Sequence, residues 1–288
     1  MHQNKIPVIF VSSIFRKNQH FFKFYGGWFR DHLRKVTYFF VQNKESQELL
    51  HSIGINNSVV SGDTRFDRVF EIALKPKRFS MIEKFIQGSV IFIAGSTWAK
   101  DEELLVPFIN SNPHGLKFII VPHEINTDHI SRLMQRIKRK SVKYSAQDEE
   151  ALKNADVLII DTIGMLSQLY QYATIAYIGG GFGKGIHNIL EPAVFGMPII
   201  FGPSYKNFAE AKDLVNLRGA YSVANQKEFN SFISKLMGNY EIIKMMSEIT
   251  RKYVLLKVGA TDKIILYINA LLNLKGQKYN VSKNITLN

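Results

Sequence analysis

Beyond residue 90 the chain alternates between short, continuous apolar runs and longer stretches whose apolar residues recur at helical spacing. The runs 90–94 (VIFIA), 117–121 (KFIIV), 157–160 (VLII), 174–178 (TIAYI) and 198–201 (PIIF) are too short for helices, and their cores carry no polar residue. That pattern predicts strands buried on both faces. Strands alternating with helices predict a parallel sheet with helices on either side, an α/β doubly wound, Rossmann-like domain. Ahead of residue 66 the same grammar appears in shorter form. Strands are expected at 6–11 (IPVIFV), 36–42 (VTYFFVQ) and 58–61, with a helix over 45–53 ended by Gly54. Residues 71–88 read as a basic linker and a helix. After residue 210, helices are expected at 210–217, 227–237, 240–254 and 262–274, with a short outer strand at 220–223 and a loose tail from 275.

The chain is organised around 174–203, which reads strand, glycine-rich turn, helix, strand. Gly179, Gly180, Gly181, Gly183 and Gly185 allow a sharp turn and leave backbone N–H groups open to a ligand. A helix expected from Asn188 adds the unpaired amides and positive dipole end of its first turn, so the turn is a candidate phosphate site. Lys184, His187 and Asn188 supply further donors, and Glu191 suits two neighbouring sugar hydroxyls. The plainer alternative makes Asn188 and Glu191 a capping-box-like pair and the glycines a close-packing device. Three other turns follow strands of the same sheet: Gly95-Ser96-Thr97, Pro122-His123-Glu124 and Asp161-Thr162-Ile163-Gly164. In a parallel sheet all four share one rim, where such folds bind ligands. Ser96, Thr97, His123, Asp161 and Thr162 therefore join Gly180, Gly181, Lys184, His187, Asn188 and Glu191 as candidate binding residues. Thr97 and Asp161 also suit simple caps, and His123 a packed polar residue.

Composition narrows the partners. Of 288 residues, 46% are hydrophobic and 21% charged, the balance of a globular chain long enough for two modest domains. Without cysteine, disulfides and thiolate metal sites are excluded. His114, His123 and His129 lack ligand-pair spacing, so no metal is expected. The formal charge of +13 favours an anionic partner. A basic aromatic segment, 15–35, carries Arg16, Lys17, Lys23, Arg30, Arg34 and Lys35 among Phe21, Phe22, Phe24, Tyr25, Trp28 and Phe29. Such a mixture suits a membrane interface, and equally a helical hairpin with a core-facing aromatic side. No groove-reading motif accompanies it, so nucleic acid is not expected. No apolar run is long enough to span a bilayer, and no signal peptide opens the chain.

The stretch GGGFGKGIHNILEPAVFGMPIIFGP resembles the C-terminal signature of the 3-deoxy-D-manno-octulosonic acid (Kdo) transferases of lipopolysaccharide synthesis, down to Gly185-His187-Asn188, Leu190-Glu191-Pro192-Ala193 and Phe201-Gly202-Pro203. Ile186, inserted in the first motif, resembles the Bacteroidetes-type form. Gly62-Asp63-Thr64-Arg65-Phe66-Asp67 is similar to the stretch at that family's interdomain hinge, although a turn with an ion pair explains it as well. The resemblance implies the GT-B fold: a remnant of an acceptor-side α/β domain at 1–66, a complete nucleotide-sugar-binding domain at 67–258, and a final helix and tail at 259–288. It implies CMP-Kdo as donor, bound by the four turns, with no metal or other cofactor. The acceptor would be a lipid A precursor at the cytoplasmic face of the bacterial inner membrane, reached peripherally through Arg16, Lys17, Lys23, Trp28, Arg30 and Arg34. Family members carry a general-base glutamate in a Gly-Glu motif, in an N-terminal half of which little is expected here, and no Gly-Glu dipeptide occurs in this sequence. The chain is thus expected to hold the donor site and to be inactive alone. A transferase for another nucleotide sugar and a non-catalytic nucleotide- or membrane-binding module are the alternatives.

Overall fold

The computed structural model describes residues 6–276. The chain forms two compact units, one of Met1–Arg68 with Lys257–Asn288, the other of Val69–Leu256.

In the first unit, β1 (Ile9–Ser13), β2 (Tyr38–Val41) and β3 (Ser58–Val60) form a parallel sheet in that order. Alternation along β2 sends Phe39 and Val41 to one face, where they meet Phe15, Leu33, Leu49 and Leu50. Phe40 faces the other way, against Ile264, Tyr267 and Leu271 of the Ala260–Gly276 helix. A three-stranded sheet thus has both faces covered, one of them by residues that follow in sequence only after the entire second unit. The tail expected from residue 275 lies outside the described residues beyond Gly276.

The 62–67 stretch leads directly into a helix. From Thr64 it is helical, through Leu74, because Asp63 accepts from the Arg65 backbone at 2.9 Å and pairs with its guanidinium at 2.7 Å. Asp67, buried, accepts from Gly259 N, Thr261 N and Thr261 Oγ1 at 2.5, 2.7 and 2.7 Å, capping the final helix. The division between the units falls inside the Thr64–Leu74 helix, and the linker read over 71–88 holds a second helix, Ser80–Ile86.

The second unit is built on seven parallel strands: β4 (Ile91–Thr97), β5 (Lys117–Pro122), β6 (Ser141–Lys143), β7 (Val157–Ile159), β8 (Ile175–Ile178), β9 (Ile199–Phe201) and β10 (Ala220–Ser222). Their order is β10-β9-β8-β4-β5-β7-β6. Phe92, Phe118, Ile120, Tyr177 and Ile200 build one core face beneath helices Ala99–Ser111, Thr127–Arg136, Gln226–Met237 and Tyr240–Leu255. The alternate residues Ile93, Ile119, Leu158, Ala176 and Ile199 are equally buried, which explains the uninterrupted apolar runs. β6 escapes the pattern because Ser141-Val142-Lys143 is an edge strand with one buried residue. From β4 the chain moves outward to β5 and on to the edge as β6, turns back to fill the gap between them as β7, then crosses to the other side of β4 as β8. The switch point therefore lies between β4 and β8, and a crevice is expected beyond their carboxyl ends.

Candidate functional site

The crevice is present. At the end of β4, Ser96 takes a left-handed backbone, φ 53°, at a shift in strand register. Trp98 follows, and the Ala99–Ser111 helix begins. At the end of β8 the glycine loop lies directly against this turn. A Cβ on Gly179 would stand 2.0 Å from Ser96 O, and one on Gly181 2.4 Å from Gly202 N beyond β9. Both positions thus need glycine for close backbone approach. The two loops bound a cavity of about 430 Å³ lined by Trp98, Ala99, Lys100, Asp101, Gly180, Gly183, Lys184, Gly185 and His187. The ammonium groups of Lys100 and Lys184 have no carboxylate partner among the described residues. The cavity therefore joins cations, glycine backbone and an indole, a set suited to a phosphorylated ligand with a ring.

One wall is a cluster of rings. Trp98 and His123 stack at 4.4 Å, and His123 and His187 at 4.4 Å. Trp98 Nε1 donates to His187 Nε2 at 2.9 Å. An indole N–H only donates, so His187 Nε2 must accept, and its proton sits on Nδ1. Burial, and then the neighbouring His123, hold the His187 pKa below its ordinary value. His187 is a neutral donor through Nδ1.

The helix expected from Asn188 is short, Leu190–Phe195, closed by Gly196 in left-handed geometry. Asn188 Oδ1 accepts from Leu190 N at 3.1 Å, and its amide donates to Glu191 at 3.1 Å. The pair supports itself in the capping manner, with Asn188 exposed. Beneath it Tyr170 is fully enclosed, and burial followed by the charge of Glu191 raises its pKa well above the ordinary value, so it stays protonated.

The remaining candidates have local partners. Thr97 is buried, with its hydroxyl donating to Glu102, which also meets His129 at 2.8 Å. Asp161 accepts from the backbone and hydroxyl of Ser145 and so ties β7 to the turn after β6. The Thr162 hydroxyl meets Met165 Sδ at 2.8 Å. Of the sequence-derived set, Ser96, His123, Gly180, Gly181, Lys184, His187, Asn188 and Glu191 gather at the β4, β5 and β8 ends, whereas the side chains of Thr97, Asp161 and Thr162 are engaged elsewhere. Trp98, Lys100 and Asp101 were missed as site residues. The signal was there: an acid three residues after a helix N-cap, and a tyrosine in an otherwise aliphatic strand, which needs a polar partner when buried.

Among the described residues no group of three or more His, Asp or Glu side chains is placed to hold a metal ion, and no helix is long and apolar enough to cross a membrane. In the first unit the basic aromatic segment divides its work. Phe15, Phe21 and Phe22 join the core, and Arg30 donates to the carbonyls of Phe21 and Lys23. Arg34 pairs with Asp31. Phe24 and Trp28 stand 96% and 66% exposed, with Arg16, Lys17 and Lys23 exposed beside them.

The model of a family described as 3-Deoxy-D-manno-octulosonic-acid transferase (kdotransferase) matches residues 1–68. Over 219 residues the chain is 25% identical to the 3-deoxy-D-manno-octulosonic acid transferase of Rickettsia prowazekii, covering 74% of this chain and 47% of that protein. The chain thus spans about half the length of the curated relatives it matches. The crystal structure of the C-terminal CMP-Kdo binding domain of WaaA from Acinetobacter baumannii is similar with a TM-score of 0.52 at 22% identity, over 66% of this chain and 98% of that one. The S. aureus MnaA-UDP co-structure matches over 96% of this chain and 73% of that one, with a TM-score of 0.61 at 15% identity.

Proposed function

We propose that this chain, similar to the 3-deoxy-D-manno-octulosonic acid transferases in its family-model match and in its curated relatives, forms the donor-binding part of a glycosyltransferase that moves Kdo from CMP-Kdo to a lipid A precursor. The observation that carries the reading is the cavity at the β4/β8 switch point, with glycine backbone, Lys100, Lys184 and the His187–Trp98 pair converging on it. In this reading the CMP phosphate lies against the glycine loop, where Lys100, Lys184 and His187 Nδ1–H offset the charge that grows on the leaving nucleotide. Glu191 accepts from ribose hydroxyls, and the exposed Asn188 adds a donor. The reaction inverts the anomeric carbon. It needs a general base on the acceptor hydroxyl, which the family's Gly-Glu motif would supply and this sequence does not contain. The reading calls for no metal. Phe24, Tyr25 and Trp28, with Arg16, Lys17 and Lys23, form the surface that meets the cytoplasmic face of the inner membrane, the aromatics at head-group depth and the cations on phosphates.

The test is calorimetric titration of the chain with CMP, with UMP as control. CMP binding that is lost in Glu191→Ala and His187→Ala is expected, together with no Kdo transfer by the chain alone. Equal binding of UMP would point to a different nucleotide sugar. Absence of CMP binding by a cooperatively folded chain, or Kdo transfer without added protein, would overturn the corresponding half of the proposal.

A further inference from the structure

Asp101 is 1% exposed, and its carboxylate is fully engaged. Oδ2 accepts from Trp98 N at 2.9 Å and from Gly180 N at 2.8 Å, and Oδ1 accepts from the Tyr177 hydroxyl at 2.7 Å. Only the first of these bonds is the reach-back bond of a helix N-terminus. The other two go to a strand and a loop more than seventy residues further along the chain. We infer that Asp101 is a positioning residue, a buried clasp that holds the glycine loop after β8 against the turn after β4 and so sets the shape of the cavity between them.

Three arguments support the assignment. First, a carboxylate beneath a site lined by Lys100 and Lys184 works against anion binding, so electrostatic help to a ligand does not account for its placement. Second, burying a carboxylate is unfavourable unless donors surround it, and here all three donors come from the two walls it joins. Third, Gly180 is held at φ 89°, next to two glycines whose tight backbone contacts depend on how the loop is seated. The same clasp seats Trp98, whose indole fixes the His187 tautomer. The consequence for nucleotide affinity rests on the donor-site reading above, whereas the clasp itself does not.

The experiment compares hydrogen–deuterium exchange and CMP titration for the full chain and the variants Asp101→Ala, Asp101→Asn and Tyr177→Phe. In Asp101→Ala, exchange is expected to quicken about ten-fold or more in peptides covering 95–99 and 179–187, with the rest of the unit unchanged. CMP affinity falls about ten-fold, the same opening read through the ligand. Asn keeps one oxygen for both backbone N–H groups, and its amide donates to the Tyr177 oxygen, which accepts instead. Asp101→Asn should therefore exchange like the parent and bind CMP at least as well, since the opposing charge is gone. Tyr177→Phe, which loses one bond of the three, quickens loop exchange by about three-fold. Unchanged loop exchange in Asp101→Ala, or acceleration spread evenly over 69–256, overturns the inference by reducing Asp101 to a general stabiliser. If Asp101→Ala does not fold, unchanged loop exchange in Tyr177→Phe overturns it equally. If the parent chain does not bind CMP, the donor reading fails while exchange still decides the clasp.

Discussion

Both sheets of this chain open on a strand whose penultimate residue is a serine with left-handed backbone, φ 50° at Ser12 and φ 53° at Ser96, each beside a shift in register. From there the two rims part. Around Ser12 the space is filled by the unit's own side chains. Its hydroxyl donates to Asp63 and accepts from Thr64 N, Asp63 holds Arg65, and Asp67 holds Gly259 and Thr261. Around Ser96 the neighbouring loop is glycine, the backbones touch, and a cavity of about 430 Å³ remains. The same kink at a strand end thus becomes a structural joint or a binding crevice according to whether the adjoining loop brings carboxylates or bare backbone.

The largest expected effect breaks the glycine side of this comparison. In Gly179→Ala the new methyl would lie 2.0 Å from Ser96 O and 2.6 Å from its carbonyl carbon, backbone atoms that cannot rotate away. A loss of about 3 kcal/mol in stability is expected from such overpacking, with CMP binding abolished. Denaturant unfolding and titration read the two effects. A loss below about 1 kcal/mol would mean that the loop is seated loosely and that close approach does not explain its glycines.

On the carboxylate side, Asp67→Ala removes three bonds from the start of the Ala260–Gly276 helix. A cost of about 2 kcal/mol is expected, the upper end for losing a helix cap, with CMP affinity unchanged. Weakened CMP binding in this variant would show that the first rim is not purely structural.

That asymmetry also marks what the sequence could disclose. The strands at 91–97, 117–122, 175–178 and 199–201 were legible because burial on both faces writes an unbroken apolar run. The shared rim followed from parallel alternation, and the glycine cluster announced close packing. Less was legible where a residue's work depends on a distant segment. Nothing near Asp67 reveals that it caps a helix beginning at Ala260, and nothing near Asp101 reveals Gly180. The Thr64–Leu74 helix was hidden because Gly62-Asp63 reads as a turn, whereas here that turn is the helix's own start. The helix after the glycine loop was read as longer than Leu190–Phe195 because apolar spacing persists through Ile189, which lies before it.

A smaller effect tests the ring cluster of the second rim. His187 has its pKa lowered by burial and by His123, so the folded chain binds fewer protons there than the unfolded one between the lowered value and the ordinary one. Its contribution to stability is complete above about pH 6.5, the ordinary histidine value, and is lost as pH falls toward the lowered folded value. Protonation also removes the acceptor for the Trp98 indole. Tryptophan emission should therefore titrate below that pH, and His187→Gln should flatten the change by less than about 1 kcal/mol in stability. A transition above pH 7 would contradict a neutral His187.

The smallest expected effect is the sharpest control on the whole contrast. Gly183 belongs to the same loop and lines the cavity, yet a Cβ there would meet nothing closer than Gly180 O at 3.5 Å, and its backbone is not left-handed. Gly183→Ala should shift stability by no more than about 0.5 kcal/mol and leave the exchange of 179–187 as it was. If the loop's glycines served flexibility in general, Gly183→Ala and Gly179→Ala would cost alike. A difference of several-fold between them follows only if individual glycines are dictated by the backbone atoms they face, which is what separates the second rim from the first.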